Sequence, residues 1–278
     1  MENTLELTIS ISEDYQDILI ADLFEVGFAG FEQQSHSMKA FVEEEIFTSI
    51  PKQVLEDIFD SFGGLSIITE KKVHIPKNWN EEFEKSIQPI QVGRFYIRPT
   101  WAVSDCPSDS IELLIDPKMS FGTGYHETTR LMLNSISDYI KVDDEILDVG
   151  TGTGILAIAA IKLGAKYAFG FDIDEWSAEN SLENIELNSV EKSIDIKHGT
   201  FETVPEKEFD ITIANINRSA ILGVKEDLLK HTKDNGYILL SGLLTTETHR
   251  IKEDELFMGL TLLKEISEGD WSGLIYKK

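Results

Sequence analysis

A glycine-rich turn between two apolar segments constrains the fold of this chain more than any other feature. The segment 148–154 reads Asp-Val-Gly-Thr-Gly-Thr-Gly, follows the apolar run 145–147, and opens into the apolar segment 155–164. This pattern is typical of a strand, a tight turn and a helix in a parallel sheet. Asp172 ends the next apolar run. Glycines let a backbone approach a ligand closely, and an acid after the second strand can hold a ribose diol. The sequence therefore predicts a site for an adenosine-containing cofactor.

The glycine spacing narrows the choice of cofactor. Dinucleotide-binding turns have the spacing G-x-G-x-x-G, whereas this turn has G-x-G-x-G. The tighter turn suits a cofactor without phosphates, so a dehydrogenase is the weakest interpretation. A tight turn that binds no ligand is the structural alternative. Together with Asp172 and with Asn215 after a later strand, the turn resembles that of the Rossmann-like S-adenosylmethionine-dependent methyltransferases.

The order of patterns along the chain predicts an α/β fold in two parts. Residues 1–75 read as βαββαβ, a small ferredoxin-like α+β domain, in which Ser12 is predicted to cap the first helix. Residues 76–107 contain a polar helix at 81–86 and then prolines and aromatic residues, which indicate an ordered linker that packs. Residues 108–278 alternate strand and helix, which predicts a doubly wound parallel sheet, and the resemblance of the turn implies that it is a Rossmann-like seven-stranded methyltransferase sheet.

Within the larger part, apolar periodicity predicts individual elements. A strand at 111–115 is expected to open the α/β pattern. Helices are expected at 128–140, 176–187, 219–231 and about 246–257, and a closing hairpin at 260–276. That hairpin would supply the antiparallel edge seen in this class of methyltransferase, and Trp271 beside it is expected in the core.

A second candidate ligand-binding segment lies at residues 120–130, which we call the signature loop. It contains two glycines, His126 and two threonines. Such a loop can wrap a ligand with backbone and hydroxyl groups, or it can simply cap the following helix. Composition alone leaves these two interpretations open. Phe121 in this loop is either a shield for a cofactor or an ordinary packing residue.

The segment 116–130 closely resembles the signature segment of the PrmA family, whose members methylate the large-subunit ribosomal protein L-eleven (L11). The glycine turn and the segments 170–174, 183–188, 214–216, 240–244 and 269–275 match the family in order and spacing, so the resemblance covers residues 79–278. It implies S-adenosyl-L-methionine as cofactor and protein N-methyltransferase activity on lysine or other amino groups of L11. It also implies that residues 1–75 recognise the substrate. The cofactor-binding residues implied by the matching motifs are Thr129, Gly150, Gly152, Asp172 and Asn215.

The chain departs from the family pattern at a few positions. Thr151 and Thr153 stand where cysteine and serine are common, and Asn217 stands where leucine is more frequent. Asn217 puts the geometry of the lysine substrate in question, whereas cofactor binding is unaffected.

Methyl transfer to a lysine needs a neutral amine, whose ordinary pKa is near 10.4. Desolvation favours that free base, and Asn215 is the candidate catalytic residue that would position it. His126 is either a base that assists proton removal or a residue that orders its loop. Asp174 is either a second ribose contact or a helix cap. His36 and His74 have no second ligand at metal-ligand spacing, so no metal is expected.

Charge and composition limit the partners. The net charge is −25, with 25 basic and 50 acidic residues, so direct binding of nucleic acid is not expected. No apolar run is long enough for a membrane span and no leader pattern is visible, which predicts a cytoplasmic protein. The lone Cys106 is interpreted as incidental.

Two alternative functions stay open. One is methylation of another protein, a nucleic acid or a small molecule, and the other is a non-catalytic S-adenosylmethionine-binding factor. The sequence does not indicate an oligomeric state.

Overall fold

A computed structural model describes residues 3–74, 87–118 and 120–278. The chain divides into two compact units, Met1–Trp79 and Asn80–Lys278. The polar helix predicted at 81–86 lies outside the described residues.

The first unit has the predicted βαββαβ order, with one additional short helix. Its antiparallel sheet has the strand order β2-β3-β1-β4, which is the ferredoxin-like arrangement. Its elements are β1 (Thr4–Ser10), α1 (Glu13–Glu25), β2 (Gly30–Gln34), β3 (Ser37–Glu43), α2 (Glu44–Ser49), α3 (Lys52–Ser61) and β4 (Ile67–His74). Leu5, Leu7 and Ile9 alternate along β1 and are fully buried, because a strand that is covered on one face buries every second side chain.

The predicted side-chain cap at Ser12 is wrong. Ser12 occupies the N-cap position of α1, but its side chain makes no capping hydrogen bond. The buried amide of Gln16 ties this helix down instead, since its Nε2 donates to the carbonyls of Gln34 and Ser37 at 2.6 and 3.2 Å. A contact between distant segments thus replaces the local one that the sequence suggested.

The second unit begins with a small sheet. It consists of β5 (Ile90–Val92), β6 (Phe95–Arg98) and β7 (Ile111–Leu114), in the order β5-β6-β7. The strand predicted to open the α/β pattern therefore lies in this small sheet rather than in the large one. Phe95, Ile97 and Leu113 are buried in a core shared with the helices of the large sheet. The described part of the predicted linker is thus an ordered, packed part of the second unit.

Seven described strands form the large sheet, in the order β10-β9-β8-β11-β12-β14-β13. Its elements are α4 (Glu127–Tyr139), β8 (Glu145–Val149), α5 (Ile155–Leu163), β9 (Tyr167–Asp172), α6 (Glu175–Leu187), β10 (Ile194–His198), β11 (Phe209–Asn215), α7 (Arg218–Gly223), α8 (Lys225–Lys230), β12 (Thr232–Leu244), α9 (Thr248–Lys252), α10 (Glu255–Met258), β13 (Thr261–Glu268) and β14 (Trp271–Lys277). Strands β8 to β12 run parallel, and β14 pairs antiparallel with β12. The predicted doubly wound sheet with an antiparallel closing hairpin is confirmed.

Two predicted helices are interrupted. The helix expected at 219–231 is divided into α7 and α8 at Val224, whose φ of −115° and ψ of 11° leave the helical region. The helix expected at about 246–257 consists of a 3₁₀ turn (Thr245–Glu247), α9 and α10. Asp254 begins α10 as its cap, because its side chain accepts a hydrogen bond from the N–H of Leu256. The helical spacing of apolar residues continues across both breaks, so the sequence pattern does not indicate them.

Apolar residues cover both faces of the large sheet. Along β8, Ile146 belongs to one buried cluster, and Leu147 and Val149 belong to the other. This explains the continuous apolar run of a central parallel strand. The strand order reverses between β8 and β11, so a crevice opens at the carboxyl ends of these strands. The segments after β8, β9 and β11 meet at that edge.

Candidate functional site

The turn after β8 contains three glycines that no other residue can replace without strain or steric overlap. Gly150, Gly152 and Gly154 have φ values of +70°, +57° and +80°, a region that favours glycine. A Cβ on Gly150 would lie 2.5 Å from Ile216 Cγ2, and one on Gly152 would lie 2.3 Å from the carbonyl oxygen of Phe121. Glycine is therefore required at these positions both for conformation and for space.

Asp172, at the end of β9, is bonded to this turn. Its Oδ2 accepts a hydrogen bond from the N–H of Gly152 at 2.9 Å, and its Oδ1 accepts one from the N–H of Asp174 at 3.0 Å. Each carboxylate oxygen keeps further acceptor capacity, and the side chain is half-buried. The carboxylate is thus fixed in orientation and still accessible to a ligand hydroxyl.

Of the two interpretations of Asp174, the structure supports the helix cap. Its Oδ2 accepts hydrogen bonds from the N–H and the hydroxyl of Ser177, at 3.2 and 2.8 Å. These bonds satisfy a free N–H in the first turn of α6, as a capping aspartate does.

Asp148 lies beneath the glycine turn and is almost fully buried, with 1% of its surface exposed. Burial and, to a smaller extent, the charge of Asp172 raise the pKa of its carboxyl group from the ordinary 3.8 to about 6, although hydrogen bonds from Thr151 and from the backbone of Ala157 act in the opposite direction. The hydroxyl of Thr151 donates to Asp148 Oδ2 at 2.7 Å. Thr151, which departs from the family pattern, therefore provides a hydrogen bond to this buried carboxyl group.

The raised pKa of Asp148 predicts a pH dependence of stability. The folded protein holds this proton at pH values where the unfolded chain has released it. The free energy of unfolding therefore falls as the pH rises from about 4 to about 6. In the wild type this decrease in the free energy of unfolding amounts to at most about 3 kcal/mol. We expect the decrease to be absent in Asp148→Asn, because the asparagine side chain does not titrate. Urea unfolding of both proteins at a series of pH values measures the difference, and two parallel profiles would contradict the prediction.

The signature loop packs directly on the glycine turn. The N–H of Thr153 donates to the carbonyl of Phe121 at 2.9 Å, and its hydroxyl donates to the carbonyl of Gly122 at 2.7 Å. The same loop also caps α4 through His126. The helix-cap interpretation of this loop is therefore confirmed for its second half, while its first half lies against the turn.

Two of the predicted site residues have buried oxygen atoms without a hydrogen-bond partner among the described residues. These atoms are the hydroxyl of Thr129, in the first turn of α4, and Oδ1 of Asn215, at the end of β11. Buried polar atoms in folded proteins are nearly always hydrogen-bonded. The described residues therefore leave the hydrogen-bonding capacity of both atoms unused.

A cleft of about 230 Å³ opens beside Asn215. Its lining residues are Phe121, His126, Thr128, Asn215, Ile216, Asn217, Gly242 and Trp271. Trp271, expected in the core, is half-buried and lines this cleft instead, while Phe121 is half-exposed. The His126 ring lies between these two aromatic rings, with ring centres 5.1 Å from Phe121 and 4.8 Å from Trp271. The cleft is therefore apolar and aromatic on one side and carries an amide on the other.

Asn217 has a structural role on the cleft wall. Its Oδ1 accepts a hydrogen bond from the N–H of Ala220 at 3.0 Å and caps α7. Sequence reasoning missed Ile216, Gly242 and Trp271 as lining residues. They belong to strand ends far apart in the chain, and no spacing rule connects them to the signature loop.

His126 is bonded in a way that favours loop ordering over proton removal. Its Nδ1 accepts hydrogen bonds from the N–H of Thr128 at 3.3 Å and from the hydroxyl at 2.9 Å. A neutral ring with Nδ1 as acceptor carries its proton on Nε2, so neither nitrogen has a free lone pair. His126 therefore acts as the N-cap of α4.

We expect His126→Ala to lower the free energy of unfolding by about 1 kcal/mol, the usual effect of losing an N-cap. Turnover should fall less than tenfold. His126→Asn restores a capping oxygen and serves as the matched control in unfolding and methyl-transfer assays. A stable Asn variant with a hundredfold loss of turnover would instead indicate a base.

Within the part of the chain that the structure describes, no group of three histidine, cysteine or acidic side chains can hold a metal ion. The same residues contain no helix long and apolar enough to cross a membrane.

The strand order of the large sheet, its antiparallel hairpin and the glycine turn at its switch point define a Rossmann-like, S-adenosylmethionine-dependent methyltransferase. Comparison with known proteins gives the family. The family model of the ribosomal protein L11 methyltransferases (PrmA) matches residues 5–278. The chain belongs to this family.

Individual relatives agree with this assignment. The chain is 34% identical over 284 residues to a ribosomal protein L11 methyltransferase of Chlorobaculum tepidum, covering 99% of this chain and 97% of the relative. It is 36% identical over 274 residues to that of Porphyromonas gingivalis, covering 97% and 92%. The crystal structure of a ribosomal protein L11 methylase from Lactobacillus delbrueckii subsp. bulgaricus superposes with a TM-score of 0.63 at 28% identity, covering 68% of this chain and 98% of that one.

Proposed function

We propose that this protein transfers methyl groups from S-adenosylmethionine to amino groups of ribosomal protein L11, the substrate named in its family and relatives. The observation that carries the proposal is the cleft beside Asn215. It adjoins the glycine turn, and a Cβ on Gly150 would touch Ile216 of its wall. A site for the cofactor and a cleft for an acceptor side chain therefore lie side by side at the switch point of the sheet.

The proposed cofactor site uses the residues that the motifs implied. Gly150 and Gly152 leave the backbone open to close approach, and Asp172 accepts the ribose hydroxyls on oxygens already aligned by two N–H groups. The free oxygens of Thr129 and Asn215 bind the polar groups of the amino-acid portion. When bound, the cofactor supplies a methyl group on a positively charged sulfur, which is activated for displacement.

The protein's own contribution to the reaction is positioning and desolvation. The amine must lose its proton before it attacks, and the apolar wall formed by Phe121 and Trp271 favours the neutral form because burial disfavours the charged one. Oδ1 of Asn215 can accept one amine N–H and so direct the lone pair. Holding the reacting atoms in line accounts for most of the acceleration in such a displacement. The proton that the product ammonium releases then passes to water.

The proposal extends to the first unit and to location. Residues 1–75 are proposed to recognise L11, as the resemblance implies, and the protein is proposed to act in the cytoplasm, where ribosomal proteins are made. The large acidic excess of the chain favours a basic protein as substrate over the phosphate backbone of a nucleic acid.

Incubation with radiolabelled S-adenosylmethionine and unmethylated large-subunit ribosomal proteins tests the proposal. We expect label on L11, and we expect Asn215→Ala to reduce that labelling at least tenfold. Label on another ribosomal protein, or on ribosomal RNA, would replace L11 as the substrate. Absence of label together with tight binding of S-adenosylhomocysteine would contradict the catalytic proposal.

A further inference from the structure

Three buried asparagines follow one another along one face of α6 and its C-cap. Asn180, Asn184 and Asn188 are spaced four residues apart, so they share a helix face. Their exposed fractions are 2%, 0% and 8%. Buried amides need partners, and each of these three makes at least one hydrogen bond to Leu114 or Asp116, in the segment that leads into the signature loop.

One of these asparagines, Asn188, bonds to the free edge of β7. On the side of β6, the N–H of Ile115 donates to the carbonyl of Arg98, as in an ordinary sheet. On the opposite side, Asn188 bonds to both backbone groups of Leu114: its Oδ1 accepts from the N–H at 3.1 Å, and its Nδ2 donates to the carbonyl at 2.6 Å. A side chain thus takes the place of a neighbouring strand.

The backbone groups of Asp116 are held in the same way. The N–H donates to Asn184 Oδ1 at 2.8 Å, and the carbonyl accepts from Asn180 Nδ2 at 2.8 Å. The carboxylate of Asp116 is also fixed, because it accepts hydrogen bonds from the N–H and the hydroxyl of Thr100. Asp116 is therefore a rigid starting point for the chain that continues into the signature loop.

Asn184 differs from the other two asparagines because it also reaches the glycine turn. Its Nδ2 donates to the carbonyl of Thr153 at 3.0 Å. The N–H and hydroxyl of Thr153 already bond to the signature loop at Phe121 and Gly122. One side chain therefore joins Asp116, four residues before the loop, to the turn on which the loop packs.

We propose that Asn184 is a positioning residue that holds the signature loop in register on the glycine turn, so that cofactor affinity depends on it. This inference rests on the proposed cofactor site. Asn188 holds β7 to the same helix face by the same kind of bond, and its hydrogen bonds go to Leu114 and to the carbonyl of Asn184 rather than to the turn, which makes it a matched control. The structure thus predicts different functional effects for two chemically identical buried residues.

The test compares Asn184→Ala with Asn188→Ala in the full-length protein. Calorimetric titration with S-adenosylhomocysteine gives the dissociation constant, and thermal unfolding gives the loss of stability. We expect both variants to be destabilised, and only Asn184→Ala to bind at least tenfold more weakly than the wild type. The KM for S-adenosylmethionine should rise in parallel, while the KM for the protein substrate changes little.

Asn184→Asp provides a second variant of nearly unchanged shape. It keeps the oxygen that accepts from Asp116 and loses the donor to Thr153, so weakened cofactor binding is expected here too. Equal affinities, within twofold, for the position-184 and position-188 variants would overturn the inference and leave Asn184 a structural residue. A wild-type protein that does not bind S-adenosylhomocysteine would instead refute the proposed cofactor site itself.

Discussion

Asp172→Ala is expected to weaken the binding of S-adenosylhomocysteine at least a hundredfold. The variant loses the proposed acceptors for the ribose hydroxyls and the observed acceptors for the N–H groups of Gly152 and Asp174. Hydrogen bonds to a charged group contribute about 1.5–3 kcal/mol each, so two lost ligand bonds account for an effect of this size. Titration calorimetry measures the affinity, and the labelling assay should show methyl transfer falling with it.

Asp174→Ala is the matched control for that experiment. Asp174 lies two residues away and caps α6, so its loss should reduce the free energy of unfolding by about 1 kcal/mol. Its cofactor affinity should stay within about threefold of the wild type. If the two variants bind equally well, the ribose is held elsewhere and the assignment of Asp172 is wrong.

The second large effect is expected for Gly152→Ala. The new methyl group would lie 2.3 Å from the carbonyl oxygen of Phe121, and the φ of +57° is unfavourable for alanine. The left-handed conformation alone costs about 1–2 kcal/mol, and relief of the overlap requires the signature loop to move off the turn. We therefore expect a lower melting temperature together with loss of measurable cofactor binding.

Gly223→Ala separates this local effect from a general effect of adding a methyl group. Gly223 lies in the last turn of α7, has an ordinary φ, and has no atom within 4 Å of an added Cβ. That variant should be as active as the wild type and at least as stable, since alanine is the better helix former. Normal cofactor affinity in Gly152→Ala would contradict the close packing of loop and turn.

Some residues of the candidate site could be predicted from local sequence features, and others could not. The glycine turn and Asp172 were identified because the turn and the next strand end are local features with fixed chemistry. Thr129, in contrast, came only from the family resemblance. No periodicity singles out one threonine of a pair, and only its buried, unpartnered hydroxyl distinguishes it in the structure.

Several predictions failed where a tertiary contact overrides a local preference. Ser12 stands at a helix start, yet the amide of Gln16 fastens that helix. Trp271 looks like a core residue by composition, yet it lines the cleft beside His126. The strand predicted at 111–115 is present, but the sequence did not specify its pairing with Phe95–Arg98 in a separate small sheet.

The sequence by itself determined the alternation of strand and helix, the glycine turn, the acid after the second strand and the family. These features depend on residues close together in the chain, where the backbone allows few conformations. Only the tertiary structure decided which polar groups are left to a ligand and which are used internally. Asn215 and Asn217 stand two positions apart, yet one keeps a free oxygen and the other caps a helix. That difference depends on which atoms the fold brings within hydrogen-bonding distance, and sequence spacing does not specify it.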